Sequence, residues 1–523
     1  MRIDLNNKLI ISTSIKAIDK YLIEYSWIKD YNRRHYAAMV ASLDEMVGEV
    51  VDLYRRKNLL QNTLAMFVAD NGGETRDGGN NWPLSGQKWT LLEGGVRATG
   101  FLFGGLAPLK GRQFSDLWHV TDIMPTFLEA AGCETKYENK IDGDGKGNIY
   151  IVGRGDPSLT KTQLKSLAEQ LKEKGIENIN QLIADDTYFQ GIPVNPNWEW
   201  EDVQAGYGAP INSLIFNQNA IDLVLSPQGN GEPLKVTFVN PVESKKWQIE
   251  NNSVTVATNE KEFVEVGRDF IQPIIRISGQ LRIGSASEPV YVAVVEPVDN
   301  FLNNFRQVLE LEGIRVSRIV KNSQITSNLN LTELAFVESP TVGELIEEVN
   351  KKSNNIYAEA LLRQLGVKSR LVPKKKSDNQ TLAKSLEEVK VILTRLGVTP
   401  NSFRLNDGSG LSRHNLISPE ALVQTLRIMA NSPWANIYRN SLAVGGVSGT
   451  LSRRFRNSFA EGNVQAKTGT MSGISGLSGY VEPIDFEPLV FSIIVNQSDL
   501  ETKDLRTAID KIVLLLTQLK FCG

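Results

Sequence analysis

Between Glu138 and Asn148 the apolar patterning of this 523-residue chain lapses into KIDGDGKGN, a run rich in Gly, Asp and Lys, and the segments on either side are unlike. That composition predicts a linker joining two separate parts. The length agrees, since about three or four domains are expected at this size. Hydrophobic residues make up 41% and charged residues 22%, which argues against disordered and fibrous classes. Lys plus Arg number 57 against 60 Asp plus Glu, so no basic field exists to attract a phosphate backbone and nucleic acid is not an expected partner. No run approaches the roughly 18 apolar residues of a membrane span. The N-terminal apolar runs are too short for a signal peptide, so no export address is expected. Cys133 and Cys522 lie far apart and have neither zinc nor redox spacing.

Before the junction, Met39, Leu43, Met46, Val47, Val50 and Tyr54 recur at helical spacing, which predicts an amphipathic helix over about 34–56. The continuous apolar run TLAMFVA, Thr63 to Ala69, predicts a buried strand, and Asp70-Asn71-Gly72-Gly73 a polar turn at its carboxyl end. HVTDIMPTFLEAAG, His119 to Gly132, reads as a further helix with Pro125 in its first turn.

After the junction, Ile149 to Val152 is strand-like and Thr160 to Lys174 helical. Short alternating runs between Leu234 and Val295 (VTFV, SVTVA, PIIRI) predict a small β-rich domain. Helices are expected near Thr341 to Leu365 and Leu382 to Leu396, the second with Gly397 as C-cap. Strand-like runs at Val464 to Lys467, Gly476 to Val481 and Leu489 to Val495 precede a final helix over Lys503 to Leu519. Helices, strands and a helix in that order suit an antiparallel sheet with helices packed on its faces.

Lys467-Thr468-Gly469-Thr470 follows a strand start and would put an ammonium, a hydroxyl and a close-approach glycine on one strand edge, a combination able to hold a carboxylate. Taken alone, so short a pattern also fits a solvated lysine on an edge strand. Context comes from Ser353-Asn354-Asn355, a serine and an asparagine two apart at a helical segment, which matches the S-x-N element accompanying KTG in penicillin-recognising serine enzymes. Ser377-Asp378-Asn379 offers the same spacing but reads better as a loop and helix N-cap.

GRGDPSLT (Gly153 to Thr160), DDTYF (Asp185 to Phe189), YGAPINSL (Tyr207 to Leu214), NDGSGLSRHNLISP (Asn406 to Pro419), SGTLSRRF (Ser448 to Phe455) and QAKTGTMSGISGLSGY (Gln465 to Tyr480) follow in order. Together they resemble the class C low-molecular-weight penicillin-binding proteins, the D-alanyl-D-alanine carboxypeptidase/endopeptidases, over residues 147–523. The resemblance implies that Ser353 relays protons, Asn355 holds the peptide backbone, Lys467, Thr468 and Gly469 form the edge that binds the terminal carboxylate, and the Thr470 amide helps build an oxyanion hole. The acylated serine of that family comes from an S-x-x-K motif upstream of GDPSLT, where this chain has no peptidase-like sequence. Ser85-Gly86-Gln87-Lys88 and Ser158-Leu159-Thr160-Lys161 satisfy the pattern in other contexts, the second as a helix N-cap and a solvated lysine. Without a nucleophile no acyl-enzyme forms, so impaired or absent catalysis is expected.

The N-terminal part carries a second resemblance. YAAMVASLDEMVGEVVDLY, DNGGETRDGGNNWPLSGQKWTLLEGGVRATGFLFGG and HVTDIMPTFLEAAG resemble the C-terminal half of an arylsulfatase catalytic domain over about residues 30–135. This implies calcium ligands at Asp70 and Asn71 and a sulfate contact at Lys88, with Arg97 and His119 left structural. The formylglycine motif C/S-x-P-x-R is absent, and Cys133 is followed by Glu, Thr and Lys. A vestigial half of a calcium site is expected at most, because that ion takes six to eight oxygens.

The expected fold is therefore α/β and α+β multidomain. A truncated alkaline-phosphatase/sulfatase-like α/β fragment spans 1–138, a mixed α/β accessory region 139–224, a small inserted β-rich domain 225–297, and a serine-transpeptidase-like antiparallel sheet with helices 298–523. The expected function is that of a D-alanyl-D-alanine carboxypeptidase/endopeptidase acting on peptidoglycan stem peptides and recognising β-lactams, without a cofactor. The alternatives are a sulfatase remnant and a non-catalytic peptidoglycan-binding module. The family setting implies the periplasm or cell wall. Meeting of two hydrolase families near residue 140 suggests a chimeric or truncated gene product.

Overall fold

The structure, a computed structural model, describes residues 19–69, 71–90, 92–97, 99–105, 107, 138–145, 147–241, 243–321, 331–369 and 380–521. The chain divides into two units, Met1–Thr135 and Lys136–Gly523.

In the first unit, α1 (Asp19–Glu24) precedes α2 (Tyr31–Arg56). Asp30 caps α2 by accepting the Arg33 N–H at 2.7 Å, which starts the helix three residues before the apolar periodicity does. Its apolar stripe is poorly covered: Ala38 is its buried residue, and Val50, Leu53 and Tyr54 stay 50%, 46% and 39% exposed. The apolar run forms β1 (Ala65–Val68), antiparallel to β2 (Gly100–Phe103) after the short α3 (Glu93–Val96). Phe67 and Phe101 stack at 5.2 Å. The expectation of a buried strand fails, since Val68 and Phe101 are each 48% exposed. Among the described residues β1 has a single neighbour, and a two-stranded ribbon cannot cover both of its faces. Asp70, Cys133 and the helix expected over His119 to Gly132 lie outside the described residues.

The second unit opens where a linker was expected. Glu138–Gly143 is a strand, β3, hairpinned to β4 (Asn148–Val152). Asp144 accepts the Asn148 N–H at 3.1 Å and its side-chain amide at 2.7 Å, while Gly145 and Gly147 take φ of 70° and 85°. The Gly/Asp composition thus serves a tight turn that needs left-handed residues. Adding β5 (Asn178–Asp185), β12 (Arg315–Val320) and β13 (Thr332–Glu338) gives a five-stranded sheet in the order β12-β5-β4-β3-β13. Its strands come from both sides of the intervening β-rich segment. Helices α4 (Lys161–Glu173) and α5 (Pro297–Leu311) cover it with a core that includes Leu164, Leu171, Phe301 and Phe305. Each such buried side chain stabilises by about 1.5–3 kcal/mol.

The β-rich segment is two three-stranded sheets sharing one core. One holds β6 (Ala220–Ser226), β7 (Lys235–Phe238) and β11 (Glu288–Ala293); the other holds β8 (Gln248–Val256), β9 (Phe263–Arg268) and β10 (Ile274–Arg282).

The remainder carries α6 (Val342–Lys351), α7 (Asn355–Lys368), α8 (Thr381–Leu396), the two-residue pair β14 (Phe403–Arg404) and β15 (Leu416–Ile417), α9 (Pro419–Ala430) and α10 (Ala435–Ser441). A four-stranded antiparallel sheet follows, β16 (Ala443–Val444), β17 (Val464–Met471), β18 (Ile474–Val481) and β19 (Leu489–Val495), and α11 (Thr502–Thr517) closes the fold. Ile509 and Val513 of α11 join Ala466, Leu477 and Phe491 in the sheet's core. The one helix expected over Thr341 to Leu365 is two, broken at Lys352 to Asn354. Gly397 caps α8 at φ 102°, as its position after the apolar stripe predicts. Ser377 to Asn379 lie outside the described residues.

Candidate active site

The helix break builds one wall of the site. Lys352 ends α6, Ser353 takes φ 58°, and Asn354 begins α7 by accepting the Ile356 and Tyr357 N–H groups at 3.1 and 3.3 Å. A left-handed conformation is costly for serine and persists only where its surroundings fix it. Here two capped helices do so: Thr341 and Glu344 make the capping box of α6, and Asn354 caps α7. Ser353 is left exposed at the corner between them. Asn355 in the first turn of α7 donates its amide to the Tyr207 carbonyl at 3.2 Å, and Asn354 donates to Gln218 Oε1 at 2.9 Å. Gln218 is the middle of three consecutive left-handed residues, Asn217 to Asn219 at φ 48°, 54° and 53°. Buried Asn219 holds that turn through Pro210 O at 2.8 Å and Asn212 Oδ1 at 2.9 Å.

The other wall is β17. The Gly445 N–H donates to the Val464 carbonyl at 2.9 Å, so even-numbered residues of β17 turn their backbone polar groups toward β16. β16 pairs only with Gln465 and Ala466. Beyond it the amides of Thr468 and Thr470 therefore face an open edge. Lys467 Nζ donates to Ser353 Oγ at 2.7 Å and to the Thr468 carbonyl at 2.8 Å, which joins the two walls. Burial pushes the Lys467 ammonium down to about 8, as desolvation disfavours the charged form. Thr468 Oγ1 donates to Thr450 Oγ1 at 2.9 Å, and Arg506 Nη2 donates to Thr470 Oγ1 at 3.3 Å. Gly469 corrects one expectation: a Cβ there would meet nothing within 4 Å. No close approach within the protein demands glycine, and open space lies against the strand.

A buried polar layer braces α7 from beneath. Glu359 is fully buried, ion-paired with Arg363 at 3.3 Å, and accepts the Gly408 and Ser409 N–H groups at 2.8 and 2.9 Å. Burial pushes its carboxyl up, opposed by the Arg363 guanidinium and the Ser409 and Gly408 hydrogen bonds. Asp407 orders the adjoining turn through the Ser412 and Gly410 N–H groups and Trp198 Nε1. NDGSGLSRHNLISP is thus a loop tied to the helix that carries Asn355.

Ser353, Asn355, Lys467, Thr468 and Thr470 therefore converge at one edge. Thr450, Tyr207, Gln218 and Arg506 were given no role in the sequence reading. Thr450 and Tyr207 sit inside quoted motifs, whereas nothing local marks Arg506. Ser158 forms no hydrogen bond with Lys467: its hydroxyl donates to Asp156 Oδ1 at 2.6 Å as part of a turn, and the hydrogen bonds of Lys467 go to Ser353 and Thr468. Ser85 is exposed in the first unit, its carbonyl accepting the Gly94 N–H at 2.7 Å. A further S-x-x-K match, Ser26-Trp27-Ile28-Lys29, occupies the turn between α1 and α2.

With this geometry in place, comparison with known proteins is decisive, because residues 130–519 match the D-Ala-D-Ala carboxypeptidase 3 (S13) family. The chain belongs to that family. The D-alanyl-D-alanine carboxypeptidase of Actinomadura sp. (strain R39) is 33% identical over 389 residues, 71% of this chain and 70% of the relative. Penicillin-sensitive carboxypeptidase A of Dictyostelium discoideum is 29% identical over 405 residues, covering 73% and 75%. In fold, penicillin binding protein 4 from Haemophilus influenzae matches with a TM-score of 0.62 at 23% identity, over 75% of this chain and 88% of that one. Residues 12–133 match the sulfatase family, and mouse arylsulfatase J is 37% identical over 133 residues, 25% of this chain but 22% of its own length. Both resemblances read from the motifs hold, as does the mixed α/β and α+β fold class. The S13 match extends upstream of Gly147 to residue 130.

In the sulfatase-like unit, Lys88 Nζ lies 5.3 Å from the Trp89 ring centroid, Asn71 donates to the Gly72 carbonyl at 3.2 Å, and Arg97 pairs with Glu93 at 3.2 Å. Among the described residues no cluster of three His, Cys, Asp or Glu is placed to hold a metal. Asn71 alone falls far short of the six to eight oxygens calcium takes, so the described residues do not fit that ion. No described helix is long and apolar enough to cross a membrane.

Proposed function

We propose that residues 136–523 recognise the carboxyl end of a peptidoglycan stem peptide, or a β-lactam that mimics it, and that hydrolysis is impaired because, among the described residues, no serine other than Ser353 bonds Lys467 to serve as the family's acylated residue. The observation carrying this reading is the Lys467–Ser353 hydrogen bond at the open edge of β17. A terminal carboxylate set against Lys467 and the Thr468 and Thr450 hydroxyls would gain charge-assisted hydrogen bonds. A carbonyl oxygen beside the Thr470 N–H would have its developing negative charge stabilised. Asn355 would hold the peptide backbone, and Ser353, bonded to Lys467, is placed to relay a proton to the scissile nitrogen only where a nucleophile attacks the carbonyl. A penicillin-binding relative solved with a β-lactam bound supports the ligand class. The family setting points to the periplasm or cell wall.

Two measurements test this. Titration calorimetry with an N-acylated peptide ending in D-Ala-D-Ala is expected to show reversible binding that Lys467→Ala abolishes. A fluorescent penicillin is expected to leave no covalent label on a denaturing gel. Label together with D-Ala release would establish a working peptidase, and failure of the peptide to bind would refute the recognition itself. The sulfatase match favours a second reading, a sulfate-ester hydrolase remnant using Lys88, Asn71 and Asp70; release of phenol from an aryl sulfate would establish it. Resequencing genomic DNA across codons 135 to 150 tests whether one gene encodes both parts.

A further inference from the structure

A recess of 310 Å³ opens where the start of α4, the length of α5 and the β6–β7 pair meet, and no residue of β17 lines it. Its volume reaches the lower bound of about 300 Å³ for small-molecule sites. The floor is apolar, with Phe216, Ile221 and Val308 buried. Above it the polar lining is mostly carboxamide. Asn240 donates to Asn304 Oδ1 at 3.0 Å, and buried Asn304 donates to the Asn300 carbonyl at 2.8 Å and to Asn300 Oδ1 at 3.1 Å. This ladder fixes the orientation of its members and ends at Asn300, whose side-chain N–H groups, like those of Gln307, make no hydrogen bond among the described residues. Half-buried Asp222 accepts the Asn217 amide at 3.0 Å, and burial pushes its carboxyl up against that bond. Lys161 and Asp222 carry opposite charges, and Glu243 is matched by Lys246 at 3.0 Å. The ionisable groups therefore balance, and nothing in the recess selects an ion.

An uncharged ligand must meet amide donors, a carboxylate acceptor and an apolar floor together. A pyranose ring does so, since its hydroxyls donate to a carboxylate in charge-assisted bonds while its C–H face covers apolar side chains. An acetamido substituent supplies what the ladder lacks, a carbonyl to accept the N–H groups of Asn300 or Gln307. The recess also abuts the turn that braces the catalytic corner: Asn217 lines it, and the next residue, Gln218, accepts the Asn354 amide at 2.9 Å beside Ser353. Consecutive left-handed residues thus serve the two places, a costly backbone that persists only where its surroundings hold it. We infer that the recess is a subsite for an N-acetylated sugar ring of the glycan strand that carries the recognised stem peptide. The glycan source rests on the recognition proposed above, whereas the sugar class follows from the walls of the recess.

The test uses the full chain and chitotriose, three linked N-acetylglucosamine rings without a peptide, in titration calorimetry. Saturable binding is expected, and cellotriose, with a hydroxyl in place of each acetamido group, should bind about five-fold more weakly or worse. Gln307→Ala removes an amide that bonds nothing in the protein, so the chain should fold with an unchanged melting temperature and lose about five-fold or more in chitotriose affinity. Asp222→Asn keeps the shape of the recess and should weaken the sugar by a similar factor through loss of the charge-assisted bond. Neither substitution should alter the affinity of a D-Ala-D-Ala peptide. Absence of chitotriose binding, equal affinity for cellotriose, or an affinity unmoved by both substitutions overturns the inference. Loss of peptide binding in Gln307→Ala also overturns it, because the recess would then hold peptide and not sugar. Chitotriose binding by a chain that ignores the peptide would sink stem-peptide recognition and leave the sugar site standing.

Discussion

Lowering of the Lys467 ammonium to about 8 by burial sets a pH dependence for ligand binding that an ordinary lysine would not. If only the cationic side chain holds a carboxylate, the binding constant scales with the protonated fraction, which falls from about nine-tenths at pH 7 to about one-tenth at pH 9. Affinity for a D-Ala-D-Ala peptide is expected to weaken about ten-fold over that interval, equivalent to ~1.4 kcal/mol. An unperturbed lysine near 10.4 would lose only a few per cent of its charge over the same range. Calorimetry at half-unit steps from pH 6.5 to 9.5 reads the profile. Lys467→Arg supplies the control, because a guanidinium stays charged throughout and should flatten it. Constant affinity to pH 9.5 in the unaltered chain, with binding still lost in Lys467→Ala, would refute the reasoning: the lysine would then hold the ligand without the desolvation that its place against Ser353 implies. For stability the sign is opposite. The folded value lies below the unfolded one, so between about 8 and 10.4 the unfolded chain binds more protons and stability rises with pH.

Glu359→Ala should cost about 3–5 kcal/mol in urea denaturation, because it strands buried Arg363 and frees the Gly408 and Ser409 N–H groups; a loss below about 1 kcal/mol would mean the pair contributes little to bracing α7. Gly366→Ala should cost about 1–3 kcal/mol, since a Cβ would run into the Thr381 carbonyl and Ser385 hydroxyl of α8, and an unchanged melting temperature would contradict that close approach. Asn354→Ala removes the cap of α7 and the tie to Gln218, for a loss of about 1 kcal/mol in thermal denaturation; weaker peptide binding should accompany it as Ser353 loses its fixed corner.

Local patterning placed the strand that carries Lys467 but not the helix break that carries Ser353, where one helix was expected over Thr341 to Leu365. The apolar start at Val464 predicts β17, the stripe ending before Gly397 predicts α8, and the S-x-N and K-T-G motifs single out Ser353 and Lys467, which meet at 2.7 Å although they lie 114 residues apart. Each of those signals is local, a periodicity or a residue type whose backbone preference acts within a few residues. For the linker expected at the junction and the burial expected of β1, the deciding partner was distant. KIDGDGKGN has the composition of a linker, yet it turns a hairpin because flanking strands find neighbours in β5 and β13. Burial expected of β1 depended on a second covering layer, which no local pattern encodes.

By itself, then, the sequence determined which residue types stand on which strand or helix, and the family to which their motifs belong. Tertiary structure decided what those residues confront. The meeting of Ser353 with Lys467 and the shortness of β16, which leaves the Thr468 and Thr470 amides open, arise from contacts between segments far apart in the chain. Burial and charge are properties of neighbourhoods in space, so they become legible only once the chain has closed on itself.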